Sequence, residues 1–231
     1  MEFNDVADLK TYLEGLSENT EDNPYPVKVN GVNLSSTGAE DTLKALYSAL
    51  LRYVELDLTD CVGIKFANIT PDTAPNKAKI VSIILPDTVT TIDVNAFVGC
   101  TALKSVSMPK VTYITNGAFK SCEKLESVYM PEVLTIKESG SNANTSAFYK
   151  CTALTSVSLP KIASIGKNTF YGCTALSSIT LGTEPPDLGT DVFKDTPLSA
   201  IYVPAAALTA YQGTGKENWA DLKAKVTAIA N

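Results

Sequence analysis

The sequence predicts an α/β fold: a right-handed solenoid of stacked coils with a parallel, concave sheet, helical N-terminal coils and a C-terminal cap. Two observations lead to this prediction. A pattern of about 22 residues recurs through the middle of the chain, and a unit of that length cannot bury its own apolar face, so neighbouring units must cover one another. Each unit also contains a short alternating segment that supplies one strand of the sheet.

The repeat consists of fixed columns of apolar residues. Phenylalanines recur at intervals of 22, 29, 22 and 23 residues, at Phe97, Phe119, Phe148, Phe170 and Phe193. A cysteine stands three residues after each of the first four, and a leucine stands three residues after each cysteine. Because phenylalanine, leucine and free cysteine are typical of interiors, we expect these columns to fill the solenoid.

Four segments carry the repeat. They read AFVGCTALKSVSMP at 96–109, AFKSCEKLESVYMP at 118–131, AFYKCTALTSVSLP at 147–160 and TFYGCTALSSITLG at 169–182. These segments resemble the BspA-like class of leucine-rich repeat, specifically over about residues 80–204. The resemblance implies a leucine-rich-repeat solenoid. Because proteins of this class are typically bacterial surface or secreted proteins, it also implies a binding or adhesion role.

We expect one continuous domain in three parts. These are an N-terminal helical cap at 1–60, the repeats at 61–204 and a C-terminal cap at 205–231. Apolar spacing in the first part predicts two helices and two strands, with a separate small α/β domain as the alternative. The predicted elements are helices over Asp5–Leu16 and Thr42–Leu51 and strands over Pro26–Leu34 and Val54–Leu58. The amphipathic tail predicts a helix that closes the last coil around Trp219.

Composition excludes several functional classes. The chain contains no histidine, which removes Ser-His-Asp catalysis and histidine-ligated zinc. A net charge of −6 with a single arginine, Arg52, argues against nucleic-acid binding. No apolar run approaches the roughly 18 residues that a membrane span requires. We therefore expect a non-enzymatic protein without cofactor or metal, and a monomer.

The cysteines favour a structural role over chemistry. Four of the five occupy one interior column, and the sequence contains no CxxC pair of the kind that holds zinc. Cys61 lies outside the column and is the one candidate for a reactive thiol.

The exposed side of the sheet is the predicted binding surface, because solenoids bind through their extended concave face. The tyrosines in this set are the expected anchors, since tyrosine is enriched at interface hot spots. The candidate ligand-binding residues are Lys28, Glu55, Asp57, Ile84, Ser107, Tyr129, Ser158, Thr180 and Tyr202. The expected partner is a host matrix or cell-surface protein, and the alternatives are a glycan-binding protein or a structural spacer in a larger surface assembly.

Two further features bear on function. Glu55 and Asp57 project from the same side of one predicted strand, as a catalytic or calcium-binding carboxylate pair would, but a cross-strand pair of Lys28 with Asp57 is the favoured interpretation. The third unit carries seven extra residues around 137–146, a polar loop that is a second possible binding element. We expect an extracellular or cell-surface location, with an export signal removed before Met1.

Overall fold

The computed structural model describes residues 1–32, 45–62, 75–137 and 143–229. The strands are β1 (Glu2–Phe3), β2 (Tyr25–Val29), β3 (Val54–Asp57), β4 (Ile80–Ile84), β5 (Thr91–Ile92), β6 (Ser105–Ser107), β7 (Tyr113–Ile114), β8 (Ser127–Tyr129), β9 (Thr135–Ile136), β10 (Ser156–Leu159), β11 (Ser164–Ile165), β12 (Ser178–Leu181), β13 (Asp187–Leu188), β14 (Ala200–Pro204) and β15 (Val226–Ile229). The α-helical segments are α1 (Val6–Glu14), α2 (45–49) and α3 (Leu208–Gly213). Short 3₁₀ turns lie at Pro75–Lys79, Ala143–Thr145, Ala205–Ala207 and Lys223–Lys225.

Successive coils place their strands side by side in parallel, as the repeat predicts. One sheet has the order β1-β2-β3-β4-β6-β8 and a second has the order β10-β12-β14-β15. A third, of two-residue strands, has the order β13-β11-β9-β7-β5. Each coil of the repeat therefore crosses two sheets, and the apolar columns lie between them.

The main sheet is interrupted at the third repeat unit, which the sequence pattern did not predict. Within the described residues, the hydrogen-bonded ladder ends at β8 and begins again at β10. The seven extra residues of the repeat fall between these two strands, and 138–142 lie outside the described residues. The longer connection thus coincides with the point where the hydrogen-bonded ladder of the main sheet is broken.

The Phe and Cys columns form two parallel ladders through the core. Adjacent phenylalanine rings from Phe97 to Phe193 stack with centroids 4.8, 5.0, 5.3 and 5.7 Å apart. Each thiol donates to the carbonyl of the phenylalanine one coil earlier: Cys122 to Phe97 at 3.3 Å, Cys151 to Phe119 at 3.2 Å and Cys173 to Phe148 at 3.1 Å. The predicted interior columns are confirmed.

The N-terminal elements continue the same sheet. Asp5 caps α1 by accepting a hydrogen bond from the Ala7 N–H at 2.5 Å, as predicted for this helix. Strand β2 pairs with β3, and β3 pairs with β4, so the first coils share a sheet with the repeats. The described part of the second predicted helix is helical at 45–49, whereas 33–44 lie outside the described residues.

The C-terminal cap contains a helix, α3, whose Tyr211 is buried against Trp219, as predicted, but the chain after it ends in a strand that the sequence did not predict. Trp219 is fully buried and its indole N–H donates to the Pro186 carbonyl at 2.9 Å, as a cap residue should. Val226–Ile229, however, form strand β15, which pairs with β14 as one further rung of the sheet. An edge strand presents unpaired backbone groups, and pairing with β15 satisfies those of β14 where a helix would not.

Candidate functional site

The strand registers place all the predicted binding residues except Glu55 in one row on each of the two main sheets. Opposite one another lie Lys28, Asp57, Ile84, Ser107 and Tyr129, and after the interruption Ser158, Thr180 and Tyr202. A second row lies two residues earlier along each strand. It contains Pro26, Glu55, Ser82, Ser105, Ser127, Ser156, Ser178 and Ala200. We call this side of the sheets, defined by both rows, the serine face.

The serine face carries much of the exposed apolar surface of the described chain. Tyr129 is 58% exposed, Ile84 39% and Tyr202 38%, whereas Val106 and Ile179, on the opposite side of the same sheets, are buried. Ile229 of β15 extends this side and is 41% exposed. Large apolar side chains that stand out among small hydroxyls are typical of a contact surface.

A groove that the sequence did not predict lies at the N-terminal end of this face. Its volume is about 300 Å³. It is lined by Met1, Pro26, Val27, Lys28, Glu55, Leu56, Asp57, Ser82 and Ile84. Four of the predicted site residues, Lys28, Glu55, Asp57 and Ile84, therefore line one depression, because the register of β2, β3 and β4 brings them together.

Lys28 lies opposite Asp57 in the strand register, as predicted, but the carboxylate that forms its ion pair is that of Asp60. The Lys28 ammonium lies 2.7 Å from the Asp60 carboxylate. That hydrogen bond raises the pKa of Lys28. Asp57 instead accepts hydrogen bonds from the backbone N–H of Thr59 at 2.9 Å and from its hydroxyl at 2.7 Å. The loop after β3 thus supplies both partners, and a strand pattern does not show where a loop returns.

Burial makes the thiols poor candidates for chemistry. All five cysteines are free and buried. Burial raises the pKa of Cys100 to about 11 and that of Cys122 well above its usual range, so neither forms a thiolate at neutral pH. Cys61 is 1% exposed and donates to the Val29 carbonyl at 3.1 Å, and burial raises its pKa too.

Neither a metal-ligand cluster nor a membrane-spanning helix occurs among the described residues. There, no group of three or more His, Cys, Asp or Glu side chains is arranged to hold a metal ion. Among the same residues, no helix has the length and apolar character needed to cross a bilayer. The 137–146 loop falls partly at 138–142, outside the described residues.

Stacked parallel coils, interior ladders and one broad exposed face define a repeat solenoid protein. The family described as "BspA type Leucine rich repeat region" matches residues 68–146 and 141–214, in six copies. The chain belongs to this family of bacterial-type leucine-rich repeats. Membership makes it a protein-interaction or surface-repeat module, of a kind that is generally non-enzymatic.

Solved structures with similarity to the chain are leucine-rich repeat and surface proteins. The T. pallidum leucine-rich repeat protein TpLRR is 26% identical, with a TM-score of 0.47, over 53% of this chain and 58% of its own. A leucine-rich cell surface protein of Faecalibacterium prausnitzii is 30% identical, with a TM-score of 0.42, over 56% and 34%. The pneumococcal vaccine antigen PcpA is 19% identical, with a TM-score of 0.46, over 65% and 41%.

The chain therefore spans 34% to 58% of the length of these three solved proteins. A comparison with curated proteins found no match.

Proposed function

We propose that the chain is a non-enzymatic adhesion module at the bacterial cell surface that binds a host matrix or cell-surface protein through the serine face. The observation that carries the proposal is the exposure of Ile84 and Tyr129 in the row of one sheet and of Tyr202 in the corresponding row of the other, with core on the opposite side of both sheets. Apolar side chains held on a rigid sheet lose little conformational freedom on binding, which favours their use as anchors.

The composition of the face supports a broad contact of modest affinity. Between the anchors lie short hydroxyl side chains, which can both donate and accept hydrogen bonds and so suit varied partners. The two tyrosines stand on opposite sides of the interruption, on β8 and β14. A partner that contacts both must span the sheet, as a folded protein surface does.

A glycan is the second candidate ligand, and one observation favours it. Tyr129 is 58% exposed and stands beside Ser107 in the register, so a ring for stacking and a hydroxyl for hydrogen bonding lie side by side. Binding of the intact protein to a glycan array that is lost in Tyr129→Ala would favour the glycan. An array without binding would remove this candidate.

The test is a binding screen against purified extracellular-matrix proteins. For the partner that binds, the double variant Tyr129→Ala, Tyr202→Ala should lose at least about tenfold in affinity while its melting temperature stays unchanged. Leu134→Ala is the matched control, because Leu134 is 46% exposed but lies outside the serine face. Equal affinity of the double variant and the control would reject the site.

A further inference from the structure

Each phenylalanine of the repeat lies in a turn, which we call a Phe turn. The backbone hydrogen bonds that join one Phe turn to the next all run in one direction. The N–H of each Phe turn donates to the carbonyl one coil later: Phe97 to Ala118, Phe119 to Ala147, Phe148 to Thr169 and Phe170 to Val192, at 2.7–3.1 Å. A parallel set joins Ser121 to Tyr149, Lys150 to Tyr171 and Gly172 to Lys194. In these turns, therefore, each coil donates to the next coil and accepts from the previous one.

This polarity leaves different groups open at the two ends of the ladder. At the first coil, the equivalent carbonyl belongs to Ala96, and the buried Lys77 ammonium donates to it at 2.9 Å. At the last coil the open groups are the donors, the backbone N–H groups of Asp191, Phe193 and Asp195. None of these three N–H groups has a hydrogen-bond partner among residues 1–32, 45–62, 75–137 and 143–229.

The last turn has the same backbone shape as the turns before it. Asp191 and Asp195 have φ values of 56° and 58°, which match 58° at Asn168 and 57° at Lys150. Asn168 and Lys150 donate to the following coil. Because the conformation is the same, the N–H groups of the last turn point to where a further coil would lie.

The C-terminal cap closes the neighbouring acceptors and stops short of these donors. Asn218 donates through its side-chain amide to the Leu188 carbonyl at 2.8 Å, and Trp219 donates to Pro186. Both carbonyls belong to the last coil at β13, where inner coils accept N–H groups from the next coil. Side chains of the cap thus donate to the carbonyls of the final coil at β13, whereas the N–H groups of the adjoining Phe turn have no such partner among the described residues.

A groove of about 480 Å³ lies beside this open turn. Its walls combine apolar side chains with two carboxylates. The lining residues are Leu188, Gly189, Asp191, Val192, Phe193, Asn218, Ala220, Asp221 and Leu222. The Phe193 ring stacks on Phe170 on its inner side and is only half-buried, so the groove reaches its outer side. The Lys194 ammonium lies 4.0 Å from the Asp191 carboxylate, whereas the Asp221 carboxylate has no ion pair among the described residues, so the negative charge of the groove lies mainly at Asp221.

We propose that this groove is a second interaction site, separate from the serine face, that binds a turn of a partner protein carrying an aromatic residue beside a basic one. Partner carbonyls accept from the N–H groups of Asp191, Phe193 and Asp195. The aromatic ring continues the Phe stack, and the basic side chain meets Asp191 and Asp221.

The test uses a synthetic peptide that mimics one coil of the protein itself. The peptide has the sequence of residues 166–176, GKNTFYGCTAL, with Cys173→Ala to prevent oxidation. It contains the Thr169 and Tyr171 carbonyls, which accept the corresponding hydrogen bonds inside the protein. It also supplies an aromatic residue, Phe170, and a basic one, Lys167. Titrated into the ¹⁵N-labelled protein to about 2 mM, the peptide should shift the amide resonances of Asp191, Phe193 and Asp195. It should also slow their hydrogen exchange, which without peptide is at least about tenfold faster than that of Phe170 and Gly172.

Matched variants separate the proposed contacts. The peptide with Phe170→Ala should bind about tenfold more weakly. Asp221→Lys, an exposed change, should weaken binding of the intact peptide about two- to fivefold, whereas Tyr129→Ala should leave it unchanged. The proposal is overturned if the three amides do not shift, if both peptides bind equally, or if the amides already exchange as slowly as those of Phe170 and Gly172.

Discussion

The ammonium group of Lys77 lies 2.9 Å from the carbonyl oxygen of Ala96 and takes the position that a backbone N–H takes at every later turn of the repeat. Lys77 is fully buried, and its Nζ atom lies 5.6 Å from the centroid of the Tyr47 ring. Burial lowers the pKa of Lys77. At the first of these turns, a side chain thus supplies the donor that a backbone N–H supplies at the later ones.

Replacing this donor should destabilise the fold. Lys77→Met keeps the length of the side chain but leaves the buried Ala96 carbonyl without this donor, at an expected loss of about 1–3 kcal/mol in the free energy of unfolding. Urea denaturation measures the loss. The control Lys110→Met changes an exposed lysine and should stay within about 0.5 kcal/mol. A variant at 77 as stable as the control, or more stable than the wild type, would show that the ammonium does not cap the turn.

The thiol ladder should make stability fall at alkaline pH. Burial raises the pKa of Cys100 from an ordinary 9.0 to about 11. An unfolded thiol therefore ionises while the folded one stays protonated, so stability is full below pH 9 and declines as the pH rises towards 11. Each such thiol contributes a slope of up to about 1.4 kcal/mol per pH unit in that window. Lys77 has the opposite effect on stability. Because burial lowers its pKa, the folded protein loses this proton at a lower pH than the unfolded chain does, so its contribution makes stability rise with pH.

Cys100→Ala isolates this effect. The variant should lose stability at pH 7, because it removes buried volume, yet its free energy of unfolding should fall less steeply than that of the wild type between pH 9 and 11. Urea titrations at several pH values measure both slopes. Parallel curves for the two proteins would contradict a buried thiol that stays protonated at Cys100.

The sequence predicted what recurs and missed what occurs once. Phe119 stacks between the equivalent rings of Phe97 and Phe148, and Cys122 and Leu125 are buried beside it, so their spacing alone identified the core. The capping role of Lys77, the ion pair of Lys28 with Asp60 and the pairing of β15 each occur at one place in the chain. A periodic pattern carries no information about such contacts, because they depend on where non-repeating loops return in space.

Of the two candidate binding surfaces, the repeat pattern predicted one and did not predict the other. The row from Lys28 to Tyr202 followed from strand alternation, and the register places it as predicted. The open Phe193 turn did not follow, because the repeat pattern marks the last phenylalanine without showing what the cap covers. Its ligand-binding role, like that of the serine face, stays a prediction for binding experiments.

Close packing of successive coils predicts a severe effect of one small substitution. A Cβ atom added at Gly182 would collide with the carbonyl oxygen of Pro160 in the preceding coil. Since Pro160 and Gly182 directly follow the paired strand residues Leu159 and Leu181, neither can move away freely, and Gly182→Ala should cost about 1–3 kcal/mol of unfolding free energy. The control Gly213→Ala meets no atom within 4 Å and should be neutral or stabilising by up to about 1 kcal/mol. Equal stability of the two variants in urea would rule out such close contact between coils.

The cap should protect the last coil more than the first. Trp219→Phe keeps an aromatic ring but removes the indole N–H that donates to Pro186, so it should lower the free energy of unfolding by about 1–2 kcal/mol. Because each coil of a solenoid contacts only its neighbours, the loss should appear first as faster amide exchange at Ile201, while Val106 in β6 changes little. Hydrogen exchange followed by NMR measures both amides. Equal acceleration at Ile201 and Val106 would mean that the solenoid opens as a single unit and that the cap has no local role.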